Sequence, residues 1–114
     1  MRMQIEGRWR IVEMEVWDRE AIDLVGPAFI ELRSDDQGSF RFIAVEGWMD
    51  TRRVDRDGRP GIEFSWEGND EMDPASGRGW AKVAPDGSLE GRIYFHMGDD
   101  SSFRAEPDAS SPAA

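Results

Sequence analysis

His96 is the single histidine of the chain and stands just before Asp99 and Asp100. An imidazole beside carboxylates can act as a general acid or base. Upstream, Asn69, Asp70, Glu71 and Asp73 crowd one short segment. Carboxylate and amide oxygens suit a divalent cation such as Ca²⁺ or Mg²⁺, and His96 would admit a transition metal. The spacing is not that of the twelve-residue EF-hand loop. Two clustered acids can also divide acid and base roles in a hydrolytic site. No nucleophile signature accompanies them: G-x-S-x-G, S-x-x-K and H-E-x-x-H are all absent from the chain. Gly77-Arg78-Gly79 offers flexible backbone and one guanidinium to a phosphate, without the lysine or following helix of a P-loop. Each group has a plainer use. The acids can be solvated turn residues paired with Arg78, the histidine a strand-end residue bonded to Asp99 or a carbonyl, and the glycines turn formers.

Aromatic and thioether side chains form the other conspicuous set. Trp9, Trp17, Trp48, Trp66 and Trp80, with Met14, Met49, Met72 and Met97, can line a cavity or fill a core. At 114 residues the filled core is the expectation. Trp48, Met72 and Met97 lie near loops and can alternatively form an exposed apolar patch that marks an interface.

The charge balance narrows the partners. With 14 Lys+Arg and 24 Asp+Glu the net charge is 14 − 24 = −10, and the pI is near 4.5. Such a chain is not expected to bind a phosphate backbone, so no nucleic-acid partner is expected. No membrane is expected either, since no apolar run approaches the ~18 residues of a spanning helix. The absence of cysteine excludes disulfides, cysteine-ligated zinc, iron–sulfur clusters and a thiol nucleophile. Residues 1–6 lack the apolar core of a secretory leader, and the expected compartment is the cytoplasm. The basic charge is almost all arginine, with Lys82 the sole lysine, which favours bidentate surface pairs with Asp and Glu.

The elements that must position these residues are short strands. β-rich runs span 7–17, 28–33, 39–45, 48–54, 62–67, 79–84, 89–96 and 102–106, separated by turn-forming stretches. Residues 18–26 read as a short helical segment, with Asp18 as N-cap and Gly26-Pro27 as the stop. Residues 68–78 read as a long loop, and 107–114 as a disordered tail. Ile62, Phe64 and Trp66 alternate with Glu63, Ser65 and Glu67, as a half-buried strand requires. In the first run Trp9 and Ile11 share parity with Glu13 and Glu15, so either a β-bulge near Ile11-Val12 switches the face or a carboxylate points inward. The run 48–54 is polar on both faces, which allows Asp50 or Arg52 to face the interior. The expected fold is an all-β, eight-stranded antiparallel up-and-down barrel forming a single domain over 1–106, with a sandwich as the other way to use these strands.

In that topology the connections after the first, third, fifth and seventh strands share one end. Two of them, 18–26 and 68–78, are longer than a hairpin needs, and long loops on a rigid scaffold are a usual place for function. Candidate ligand-binding residues are therefore Trp48, Trp66, Asp70, Asp73, Arg78, Trp80, His96, Asp99 and Asp100.

Gly7-x-Trp9, opening the first strand before a short helical turn, resembles the signature of lipocalins and the wider calycin group. The resemblance implies that Trp9 closes the barrel base beside an Arg from the last strand, for which Arg104 is the candidate. The segments 63–81 and 95–103 further resemble a family of small uncharacterised bacterial proteins, which supplies no activity or ligand. Three readings follow: a calycin-like binding module recognising a small ligand, cation or partner protein at its acidic end; a metal-assisted hydrolase or isomerase using Asp70, Asp73, Asp99, Asp100 and His96; and an acidic inhibitor or immunity-type protein.

Overall fold

Period-two alternation places one row of each strand inside, and eight such rows close on one another. The computed structural model describes residues 5–108. It is a closed antiparallel barrel in chain order: β1 (Gly7–Met14), β2 (Phe29–Leu32), β3 (Gln37–Phe42), β4 (Val45–Arg56), β5 (Arg59–Asp70), β6 (Asp73–Val83), β7 (Leu89–Phe95) and β8 (Asp100–Pro107), with helix α1 (Arg19–Ile22) after β1. The seam is β1 against β8, where Trp9 lies opposite Pro107. This is the up-and-down, lipocalin-like barrel; the sandwich is excluded. Residues 109–114 of the expected tail lie outside the described residues, while Pro107 belongs to β8 and the Asp108 N–H donates to the Arg8 carbonyl at 3.1 Å.

Three local expectations resolve against the ladder. The face switch in β1 is a bulge: the β1–β8 register shifts between Ile11 and Glu13. Trp9, Ile11 and Met14 thereby all face inward while Glu13 and Glu15 are exposed. On β4 neither Asp50 nor Arg52 faces in; Val45, Gly47, Met49 and Thr51 do. Finally, the break expected between the runs 39–45 and 48–54 does not fall at Gly47. The turn falls at Ile43-Ala44, and Gly47 sits mid-strand because the Phe40 ring occupies the place of a side chain there.

The interior is filled. Phe40, Phe42 and Trp66 are buried, and Trp66 packs edge-on to Phe40 at 5.0 Å and to Phe95 at 5.3 Å between ring centroids. Ile22 of α1, fully buried, and the half-buried Trp17 cover Phe42 and close one end. Trp9 is buried toward the other end, its indole N–H donating to the Ile5 carbonyl at 2.9 Å. Arg104 is not its neighbour: it projects outward and pairs with Glu106 at 2.9 Å, because on β8 Phe103 and Ala105 take the inward positions.

The turns after β2, β4 and β6 form the tight end. Here Asp36, Asp57, Gly58 and Gly87 take the left-handed conformations, and these residue types adopt them at little cost. The Asp86 carboxylate accepts from the Ser88 N–H at 2.9 Å and hydroxyl at 2.6 Å, and these bonds lower its pKa. Asp57 is likewise lowered, by its bond and charge contact with Lys82 at 2.8 Å. A depressed folded-state pKa means stability that is present above the unfolded carboxylate pKa and lost as pH falls through the folded one. Asp57→Asn and Asp86→Asn are therefore expected to destabilise near neutral pH. Their deficit relative to the parent should shrink toward zero as pH falls below the ordinary carboxylate range, as followed by urea midpoints against pH. A deficit that persists undiminished in acid would show that the charge is not the cause.

Candidate functional site

The opposite end gathers the connection 15–28, the Ile43-Ala44 turn, the Glu71-Met72 turn and the turn from His96 to Asp99. The long loop expected over 68–78 does not exist. β5 runs through Asp70 and β6 restarts at Asp73, with Asp70 paired to Asp73 across a two-residue turn. The segment reads as loop because it is rich in small residues, but Gly77 and Gly79 are inward strand positions covered by the Trp66 and Phe64 rings.

This end differs from the tight end in two ways. First, its turns put Ile43, Glu71, Met72 and Met97 at positive φ, between 51° and 75°. Side chains with a Cβ pay roughly 1–2 kcal/mol each in that region, and a β-branched isoleucine is a poor occupant. Met72 and Met97 stand 91% and 94% exposed at the tips of their turns, joined by Val16, Leu24 and Val25 on the β1–β2 connection. Every large hydrophobic residue that is exposed lies at this end or, like Trp48 and Tyr94, on the wall next to it, among the described residues. Strained turns that carry apolar tips point to a role outside folding.

Second, its charges are not offset. Asp70, Glu71, Asp73 and Asp99 have no ion pair among the described residues, and Glu20 has none either. Asp18 is spent on capping α1, accepting from the Ala21 N–H at 2.9 Å. The wall and tight end are instead laced with pairs: Arg8–Glu31, Arg33–Asp35, Arg53–Glu6, Arg56–Glu63, Lys82–Asp57 and Arg104–Glu106. Nearby cations are turned away, Arg10 onto Asp23 at 2.7 Å and Arg41 toward the Pro27 carbonyl at 3.4 Å. Arg19 is the exposed cation on this rim.

The structure separates the nine sequence candidates into three places. Asp70, Asp73 and Asp99 are on the turns of the open end. Asp100, at the start of β8, is engaged by Arg92, which also reaches Glu15 at 3.1 Å. Among the described residues no three His, Asp or Glu side chains gather to hold a metal ion. The convergence that the metal-assisted hydrolase reading requires is thus not formed. Trp66 is a core residue, 3% exposed, with its indole N–H on the Tyr94 carbonyl at 3.2 Å. Arg78, Trp80 and His96 do come together, on the outer wall of β6 and β7, where they line a groove of about 720 Å³. Trp48, 56% exposed, flanks an adjoining groove of about 530 Å³ that shares Ser76 and His96.

Sequence reasoning missed Leu24, Val25 and Tyr94. Leu24 and Val25 stand three residues after Ala21 and Ile22, so helical periodicity reads them as more of the same apolar face; they are exposed because α1 ends at Ile22. Tyr94 shares outward parity with Arg92 on β7.

Among the described residues no helix is long and apolar enough to cross a membrane. No family model matches the chain, and no curated protein matches it.

Proposed function

We propose that this protein is a binding module that docks a basic, amphipathic segment of a partner protein on the open end of its barrel. One observation carries the reading: apolar tips on strained turns coincide, at a single end, with carboxylates that form no ion pair among the described residues. Thioether side chains are flexible and polarisable, so Met72 and Met97 can adapt to different apolar anchors. The rim acids attract a basic segment and favour its encounter. They also disfavour a second copy of this acidic chain and an anionic lipid surface, which leaves a cationic partner as the occupant the field selects. The packed interior further supports recognition on the outside.

A leucine- and lysine-rich amphipathic peptide is the probe, with a counterpart bearing glutamate for lysine as control. Calorimetry is expected to show binding of the basic peptide that weakens about ten-fold between roughly 50 and 300 mM salt. Met72→Gly and Met97→Gly should each raise stability by about 0.5–1 kcal/mol by relieving the left-handed strain. Together they should weaken peptide binding several-fold. Equal affinity for the acidic peptide, or unchanged binding in the double variant, would overturn the proposal.

A further inference from the structure

The outer wall of β5, β6 and β7 carries a second recognition surface of opposite charge character. Strand register fixes its layout. Ser65, Arg78 and Tyr94 form one outward row, and Glu63, Trp80 and Arg92 the next. The groove exists because β6 is sunk toward the core. A Cβ on Gly79 would enter the Phe64 ring, and one on Gly77 would lie 2.9 Å from the Trp66 indole nitrogen. The strand backbone therefore rests directly on two aromatic rings, leaving a depression on the outside between the taller Trp80, Tyr94 and His96 side chains. The volume, about 720 Å³, is that of a small-molecule site.

The charges within it do not cancel. Arg56 and Glu63 pair at 3.6 Å, and the Arg56 guanidinium lies 4.1 Å from the centroid of the Trp80 ring. Arg78 has no ion pair or side-chain hydrogen bond among the described residues, although the chain as a whole carries a net −10. In a protein with so many surplus carboxylates, an arginine left unpaired in a groove is the group that calls for a ligand. A guanidinium fork matches a carboxylate bidentately. The 39%-exposed Tyr94 presents ring surface beside it, and the half-buried Trp80, one face of which carries the Arg56 guanidinium, adds an aromatic wall to hold a flat apolar body. A dianion such as a phosphate monoester would meet Glu63 and Glu67 on the same wall, so one negative charge is what the site accommodates.

We infer that the Arg78–Trp80–Tyr94 groove binds a small aromatic carboxylic acid, its carboxylate on Arg78 and its ring against Trp80 and Tyr94. This site is separate from the open end and does not rest on the peptide-docking reading. The test is titration of the full chain with 2-naphthoate, using neutral 2-naphthamide as control, followed by ¹H–¹⁵N spectra. The expected result is saturable shifts of the Trp80 indole N–H, the Arg78 Nε–H and the Tyr94 backbone amide, with the amide compound at least about ten-fold weaker. Arg78→Gln, at an exposed position, should leave the spectrum of the fold intact and reduce affinity about ten-fold or more. Met97→Gly should leave naphthoate affinity unchanged, which separates this site from the open end. Equal binding of naphthamide, undiminished binding in Arg78→Gln, shifts centred on Trp17 and Met97, or no saturable shift at millimolar ligand would each overturn the inference.

Discussion

Trp66→Ala is expected to lower the unfolding free energy by about 3–5 kcal/mol, the usual cost of emptying a large aromatic site. The indole is 3% exposed and lies between Phe40 and Phe95, each in edge-to-face contact. Its removal loses apolar burial, two aromatic contacts and the hydrogen bond to the Tyr94 carbonyl. It also uncovers Gly77, which has no side chain with which to fill the void. Domains of this size have only about 5–15 kcal/mol in total, so the variant should be folded only in part or only at low temperature. Urea unfolding of parent and variant measures this directly. Trp48→Ala, on the exposed wall, is the internal control and should stay within about 0.5 kcal/mol of the parent. Comparable costs for the two tryptophans would show that the packing described for Trp66 does not hold.

Gly77→Ala is expected to be as damaging, at about 3 kcal/mol or more, although it adds one methyl group. The added Cβ would overlap the Tyr94 carbonyl of the neighbouring strand and crowd the Trp66 indole. The carbonyl is backbone within the β6–β7 ladder and cannot rotate aside, and Trp66 is held by its own neighbours. Gly87→Ala provides the contrast. It meets nothing within 4 Å, and its φ of +87° makes conformational strain the only cost, about 1 kcal/mol. Thermal unfolding should therefore rank Gly77→Ala well below Gly87→Ala. The reverse order would mean that β6 does not lie as close to β7 and the core as described.

These two positions also show what could and could not be read from residue order. Alternation at Ile62, Phe64 and Trp66 identifies an inward row because a pleated strand has a period of two. The parity conflict at Trp9, Ile11, Glu13 and Glu15 narrowed β1 to a bulge or an inward carboxylate, and the register shift between Ile11 and Glu13 shows that it is the bulge. Gly68, Gly77 and Gly79 misled for the same reason that they matter. A glycine-rich stretch with Pro74 has loop composition, and only the cross-strand neighbours show why the side chains are missing: the Trp66 and Phe64 rings stand at Gly77 and Gly79, and the Glu46 backbone crowds Gly68. Such compensation comes from residues distant in sequence, so local composition does not reveal it. The candidate site divides along the same line. Trp80 was legible as a strand residue, but Arg78 was read into the 68–78 loop, so its shared outward parity with Trp80 along β6 and their company with Tyr94 and His96 depended on the observed strands. The role of Met72 and Met97 as turn tips depended on φ angles that no residue type announces.

The seam between β1 and β8 gives the molecule a direction. Gly7 enters and Pro107 leaves at the tight-turn end, so both ends of the folded segment sit on the face opposite Met72 and Met97. A tag, linker or neighbouring domain joined at either end leaves from that base, and the apolar, acidic crown stays turned toward the surroundings. Attachment next to Gly7 or next to Pro107 is equivalent in this respect: the barrel stands as a short post with Met72 and Met97 at the free tip.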